Sequence, residues 1–169
     1  MDQNIDKASN LREKLSFFYK KNKLKIIILV IFTIISLLLL SYYKIYKDDQ
    51  KKLISERYIQ AGIYLSSNQI KESAIIFEEI INSKNEFYSL LALNTILERD
   101  FKFNKSKILE FFKIVESLDI TREQQDLLKI KKALFLIKNS DDSKGKELLE
   151  KIQNSDSKFK KIAEEILSD

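Results

Sequence analysis

The chain of 169 residues contains no cysteine, histidine, proline or tryptophan, and it has only two glycines. The missing cysteine and histidine exclude zinc and iron–sulfur ligation, disulfide bonds, and nucleophilic sites of the Cys–His or Ser–His–Asp type. The two glycines, Gly62 and Gly145, are too far apart for a glycine-rich phosphate-binding loop. Without proline, helices can run uninterrupted. No cofactor and no metal site are predicted.

Three pairs of adjacent carboxylates are the remaining candidates for acid–base chemistry: Glu78 with Glu79, Asp141 with Asp142, and Glu164 with Glu165. Neighbouring side chains on a helix point about 100° apart, so such a pair rarely converges on one atom. Carboxylates in this arrangement more often lie on a solvated face or favour the positive end of a helix dipole. The sequence therefore predicts a protein that is not an enzyme.

A long apolar stretch, residues 26–43, carries no charge over eighteen consecutive positions. As a helix it would extend roughly 27 Å, close to the ~30 Å hydrocarbon thickness of a bilayer. It is apolar on every face, whereas a core helix of a soluble domain, the alternative, is usually amphipathic. The stretch is predicted to be a transmembrane helix. Its hydroxyl side chains lie near one side and are predicted to contact another membrane helix: Thr33, Ser36 and Ser41.

The net charge of +5 is concentrated before this stretch, since residues 1–25 carry +4 and residues 44–169 carry +1. A nearly neutral domain is a poor electrostatic match for a polyanion, so no nucleic-acid partner is predicted. Within about fifteen residues of its ends, six basic residues precede the stretch and five follow it. That bias predicts a cytoplasmic N-terminus and an external C-terminal domain. The flanking sequence lacks a small-x-small cleavage pattern, so the helix is predicted to persist as a signal anchor.

Within residues 1–25, the apolar side chains Leu11, Leu15 and Phe18 recur at helical spacing among basic residues. This pattern fits a short amphipathic helix that lies on an anionic membrane surface. It fits equally a plain basic flank that orients the following span.

From residue 44 onward only helical periods appear, and one spacing occurs twice. Intervals of 3, 4, 5, 4 and 3 residues separate two sets of positions, which lie 72 residues apart: Ala61, Tyr64, Asn68, Ser73, Phe77 and Ile80; and Ala133, Leu136, Ser140, Gly145, Leu149 and Ile152. A looser copy lies between them, with extra residues in its turn around Phe101 and Phe103. It consists of Ala92, Thr95 and Arg99, followed by Ile108, Phe112 and Val115.

The spacing predicts helical hairpins, because a small residue in each helix lets the two helices approach closely. Each hairpin leaves an apolar face that only its neighbour can cover, so the hairpins are expected to stack. Thr121 with Gln124 has the form of a capping box, and Asp141 or Asp142 is expected to cap the next helix. Helices are predicted at roughly 44–66, 69–82, 86–99, 104–118, 121–138, 142–153 and 157–167.

This pattern resembles the tetratricopeptide repeat, which implies an all-α domain over residues 44–169. The first helix of each hairpin would line a concave face. Carried over by position, that face holds Tyr58, Gly62, Leu65, Ser89, Leu93, Ile96, Ile130, Leu134 and Ile137. Two alternatives follow. The last helix, with Phe159, Ile162 and Ile166, caps this apolar face, or the face is a groove for a partner segment.

A basic segment (1–25), one span (26–43) and a small tetratricopeptide-like domain (44–169) together resemble the YfgM family. The resemblance implies a single-pass protein of the bacterial inner membrane with a periplasmic domain. It further implies an ancillary subunit of the Sec translocon, which associates with a membrane-anchored periplasmic chaperone and helps hand over secreted client polypeptides. The alternative is a bitopic scaffold for another cell-envelope complex, in division or outer-membrane assembly.

Overall fold

The computed structural model of the protein describes the backbone of residues 3–99 and 101–168, and the side chains of residues 17, 20–44, 49–99 and 101–168. Within these residues the chain forms seven α-helices and no strand, which confirms the all-α prediction. The helices are α1 (Gln3–Ser66), α2 (Ile70–Asn82), α3 (Glu86–Glu98), α4 (Lys105–Glu116), α5 (Arg122–Lys138), α6 (Asp142–Gln153) and α7 (Lys160–Ser168).

The predicted boundaries after residue 66 agree with the observed helices to within one or two residues, except at the start of the last helix. That helix begins at Lys160 and not at residue 157. The Ser157 hydroxyl accepts a hydrogen bond of 3.2 Å from the Phe159 amide. A serine side chain that bonds to the backbone two residues later holds the chain in a turn, so the helix starts after it.

The two predicted N-caps have different outcomes. The capping box at α5 is confirmed, since the Thr121 hydroxyl accepts from the Gln124 amide at 3.3 Å and the Gln124 side chain accepts from the Thr121 amide at 2.9 Å. At α6, Asp141 occupies the N-cap position but makes no capping hydrogen bond. Its carboxylate instead accepts from Lys144 at 3.2 Å and pairs with Lys105 at 3.5 Å. The side-chain cap predicted there is wrong, because these ammonium groups occupy the carboxylate.

The chain divides into two compact units, Met1–Gln50 and Lys51–Asp169. In the first unit, the helical backbone of α1 is interrupted at Asn22 (φ −116°, ψ 16°), shortly before the apolar stretch. The side chains of residues 27–43 are all exposed. As expected for a hydroxyl in an apolar helix, Thr33 Oγ1 donates to the Leu29 carbonyl at 2.9 Å.

Among the described residues, α1 is the one helix long and apolar enough to cross a membrane, by length and composition. A signal sequence near an N-terminus meets the same criterion. The amphipathic pattern depends on Leu11, Leu15 and Phe18, which are not among the residues whose side chains the structure describes. That pattern therefore stays a prediction.

The second unit contains two hydrophobic clusters, of which the larger joins α2, α3, α4 and α5 to the end of α1. Its core is rich in aromatic rings, which bury large apolar areas. Tyr58 packs against Phe77 and Tyr88 with centroid distances of 5.7 Å each, and its hydroxyl lies 3.3 Å from Thr95 Oγ1. The largest fully buried side chains include Phe77, Phe111, Phe112, Ile80, Ile81 and Leu93.

Small residues bring the paired helices close together, as the repeat spacing predicts. In the first hairpin, the buried Ser73 hydroxyl donates to the Ala61 carbonyl of the facing helix at 2.9 Å. In the hairpin of α5 and α6, a Cβ atom added at Gly145 would lie only 2.8 Å from the Ala133 carbonyl oxygen. In both hairpins the close approach is made by two residues that lie twelve positions apart in the sequence. The first hairpin forms a hydrogen bond there, and the second has a glycine without a side chain.

The turns of these two hairpins are also alike. Asn68 and Ser140 both adopt the left-handed conformation, with φ of 58° and 60°. The following amide closes each turn: Gln69 N donates to the Tyr64 carbonyl at 2.8 Å, and Asp141 N donates to the Leu136 carbonyl at 2.9 Å. This is the hydrogen bond of a Schellman motif. The repeated Asn and Ser positions in the sequence therefore mark helix ends.

Ser140→Gly is expected to raise the free energy of unfolding by about 0.5–1 kcal/mol, because glycine adopts positive φ without the steric cost that serine bears. The Ser140 side chain is exposed, so the substitution removes no buried contact. Chemical denaturation followed by circular dichroism measures the change. Ser143→Gly is the matched control within the same hairpin: Ser143 is exposed inside α6, where glycine is expected to give no gain. Equal gains at both positions would contradict the explanation.

The second cluster is smaller and joins α5, α6 and α7. It contains Ile130, Ala133, Leu149, Ile152 and Ala163. Of the predicted capping residues, Phe159 and Ile166 pack against it, whereas Ile162 is 46% exposed. The last helix therefore covers the α5–α6 hairpin.

Ion pairs connect helices that are not neighbours in sequence. Lys107 of α4 lies 2.8 Å from Glu78 of α2. Its hydrogen bond to Glu78 raises the pKa of Lys107, and its hydrogen bond to Glu110 raises that pKa further by a smaller amount. Lys158, just before α7, lies 2.9 Å from Glu123 of α5 and lowers the pKa of that carboxyl group. Glu78, one of the candidate acid–base carboxylates, thus forms an inter-helix ion pair.

Candidate binding cleft

A cleft lies where the C-terminal ends of α1, α3 and α5 meet in the second unit. It consists of two adjoining cavities of about 420 and 460 Å³ that share Arg99 and Phe101 as lining residues. The first cavity is lined from the end of α1, the turn after it and the first residue of α2, by Leu65, Ser66, Asn68 and Ile70. The second is lined from the ends of α3 and α5 and from the chain between α3 and α4. We refer to the two cavities together as the cleft.

Aromatic side chains form much of the apolar lining of the cleft. Phe101 and Phe103 stand on the connection between α3 and α4, with ring centroids 6.2 Å apart. Phe101 packs edge-on against Phe77 at 5.7 Å, and Phe103 packs edge-on against Phe111 at 5.2 Å. The core thus fixes both rings from behind, since edge-on aromatic pairs at this distance are favourable.

Successive short turns place these two rings side by side. The Phe101 amide donates to the Arg99 carbonyl and the Phe103 amide donates to the Phe101 carbonyl, at 2.8 Å each. Asn104 then ends the segment, because its side chain accepts from the Lys107 amide at 2.8 Å and caps α4. The extra residues of the middle repeat are therefore ordered into an aromatic wall of the cleft.

The rim of the cleft carries three cations and, among the described lining residues, one carboxylate, Glu98. Lys131 donates to the neutral amide oxygen of Asn94 at 2.8 Å. In the part of the chain that the structure describes, Arg99 and Lys138 form no ion pair within 4 Å. The lining therefore combines an apolar surface with an excess of positive charge.

The structure brings three of the nine predicted groove residues to the cleft: Leu65, Ile96 and Leu134. Leu134 is the most accessible of them at 44% exposure, whereas Ile96 is buried. These three residues lie near the C-terminal ends of α1, α3 and α5.

The other six predicted groove residues do not line the cleft, and three of them are buried: Ser89, Leu93 and Ile130. Leu93 is fully buried, and the buried Ser89 hydroxyl donates to the Ile80 carbonyl at 3.0 Å. Ile130 and Ile137 belong to the second cluster, and Tyr58 packs into the first. Tyr58 and Ile137 are only partly buried, and a Cβ atom added at Gly62 would meet nothing within 4 Å. A partner groove along the first helices therefore stays a prediction.

Sequence reasoning missed the aromatic and cationic lining, namely Phe101, Phe103, Phe135, Arg99 and Lys138. A signal for part of it was present. The middle repeat has extra residues in its turn, and two of them are phenylalanines. Large apolar side chains in a lengthened turn between helices indicate a surface that packs or binds.

Comparison with known proteins gives no match, whether with family models, with curated proteins or with solved structures.

Proposed function

We propose that this protein is a membrane-anchored interaction module, in which α1 crosses a membrane and the Lys51–Asp169 unit binds other proteins. One observation carries the proposal. The same chain combines an exposed, uncharged apolar stretch in its first unit with an accessible cleft in a packed all-helical second unit. An apolar helix of this length is costly to leave in water, and a bilayer removes that cost.

The repeated hairpin geometry supports binding over catalysis. Close approaches at Ser73 and Gly145 and matching left-handed turns recur 72 residues apart, as in domains built from stacked helical pairs. Such stacks commonly use their surfaces to hold extended or helical segments of partners. We therefore interpret the second unit as a tetratricopeptide-like domain with an irregular middle repeat.

The finer proposal is that the protein works in the bacterial inner membrane with its second unit in the periplasm. There it would act as an ancillary subunit of the Sec translocon, beside a membrane-anchored chaperone, and help to hand over secreted polypeptides. The sequence pattern supports this, through the basic flank of residues 1–25 and the order of basic segment, span and helical domain.

In-membrane photocrosslinking tests the proposal. A photoreactive residue in place of Ser36 in the apolar stretch is expected to crosslink to Sec channel subunits. One in place of Leu134 in the cleft is expected to crosslink to periplasmic polypeptides. The experiment is done in cells that naturally produce the protein, and crosslinked partners are identified by mass spectrometry. Lys146, exposed on α6 and outside the cleft, is the matched control position.

Two results would contradict the proposal at different levels. Crosslinks to a division or outer-membrane assembly complex, without Sec subunits, would replace the secretion assignment by the scaffold alternative. A protein that fractionates with soluble material, or that crosslinks to no protein from either position, would remove the membrane-anchored interaction function itself.

A further inference from the structure

We propose that the cleft binds a protein segment in which apolar side chains alternate with carboxylates. This inference rests on the proposed function, because it assigns a partner chemistry to the surface through which the second unit would bind. It depends on two independent properties of the cleft: an apolar lining, and two cations that form no ion pair in the part of the chain that the structure describes.

The apolar lining calls for apolar side chains in the ligand. Leu134 is 44% exposed and lies beside Phe103 and Phe135 in the larger cavity. Covering such groups removes apolar area from water, which is worth about 25 cal/mol per Å². A cavity of about 460 Å³ has room for a few large side chains, and its neighbour of about 420 Å³ extends it. Together they suit a segment of several residues.

The positive charge on the rim calls for carboxylates in the ligand. Arg99 and Lys138 have no ion pair among the described residues, as is true of several surface lysines such as Lys146. They differ from Lys146 in their position, because both line the apolar cleft. A carboxylate from a partner would find a bidentate donor in the arginine. Glu98 reduces the excess of positive charge without cancelling it.

A purely structural role for these cations explains less. Lys138 ends α5 and Arg99 follows α3, and positive charge near a helix C-terminus is favourable. That accounts for the two charges by themselves. Phe101 is only 7% exposed and belongs to the core. Neither helix charge nor core packing accounts for the accessible apolar side chains Phe103 and Leu134, which line the same cavity as the two cations. A ligand with both apolar and acidic side chains satisfies both features.

The test uses the full chain in nanodiscs of zwitterionic phosphatidylcholine and a fluorescent peptide. The probe has about ten residues with capped ends, in which leucine alternates with glutamate. A second probe has glutamine in place of every glutamate. Fluorescence anisotropy is expected to show saturable binding of the acidic probe, and binding of the glutamine probe that is about tenfold weaker.

Substitutions locate the site. Arg99→Gln and Lys138→Gln are each expected to weaken binding of the acidic probe about three- to fivefold, as for partly exposed ion pairs. Neither should change the binding of the glutamine probe by more than about twofold. Lys146→Gln removes an exposed lysine of α6 outside the cleft and is expected to change neither affinity. Circular dichroism verifies that each variant is folded.

Four outcomes would overturn the inference. The first three are equal affinity for the two probes, binding that does not saturate, and the same loss of affinity from Lys146→Gln as from the rim variants. The fourth is displacement of the probe by anionic phosphatidylglycerol in the nanodiscs, which would identify a lipid surface as the occupant. The assay contains no Sec component. Failure here with crosslinks retained would therefore overturn only this inference, and probe binding without Sec crosslinks would overturn only the secretion assignment.

Discussion

Gly145→Val is expected to lower the free energy of unfolding of the Lys51–Asp169 unit by about 3 kcal/mol, and Gly145→Ala by about 1–2 kcal/mol. A Cβ atom at this position would lie 2.5 Å from Ile137 Cγ1 and 2.8 Å from the Ala133 carbonyl oxygen. The Ile137 side chain can rotate away, but the backbone oxygen cannot. Helix α6 must therefore move off α5, and the valine pushes it farther than the alanine because it carries two more methyl groups.

Gly62→Ala provides the matched control with the opposite sign. Gly62 also lies within a helix, but a Cβ atom there would meet no neighbour within 4 Å. Alanine is favoured over glycine in a helix by up to about 1 kcal/mol, so this variant is expected to be more stable than the parent. Urea denaturation of the full chain in a mild detergent, followed by circular dichroism, measures both. If both alanine variants gained stability, the close approach of α5 and α6 would be wrong.

The helices and hairpins could be predicted because their causes are local. The repeated intervals place Ser73 and Gly145 against Ala61 and Ala133, and the structure shows both close approaches. The pattern also includes Asn68 and Ser140, the residues at the turn of each hairpin. Their left-handed backbone conformation could not be read from the spacing alone. The capping box at Thr121 was predictable for the same reason, since its partners lie three residues apart.

The cleft could not be predicted, because it depends on how far each helix is covered by elements distant in sequence. The repeat pattern gives Leu93 and Leu134 the same position, one residue after the aligned alanines Ala92 and Ala133. In the structure Leu93 is fully buried, whereas Leu134 is 44% exposed. Leu93 belongs to the larger cluster, whereas Leu134 lines the cleft beside Phe103. A pattern of intervals contains no information on such coverage.

Leu93→Glu is therefore expected to unfold the larger cluster, and Leu134→Glu is expected to leave the domain folded. Removing the buried leucine alone costs about 2–5 kcal/mol. A carboxylate forced into its place, with no partner, adds several kcal/mol of desolvation cost. Their sum reaches the whole stability of a typical domain, about 5–15 kcal/mol. At Leu134 the glutamate reaches water and lies on the same rim as the Lys138 ammonium group, so the expected loss is about 1 kcal/mol or less.

Helicity and peptide binding, measured on both variants, separate a core position from a binding position. Leu93→Glu should lose much of the circular dichroism signal of the second unit at ambient temperature and abolish its cooperative transition. Leu134→Glu should keep both, yet weaken binding of the acidic-apolar peptide, because its carboxylate repels the probe and an apolar contact is lost. A folded Leu93→Glu protein that had lost only peptide binding would restore Leu93 as a groove residue. The part of α3 around Leu93, which is buried in this structure, would then have to be accessible in solution.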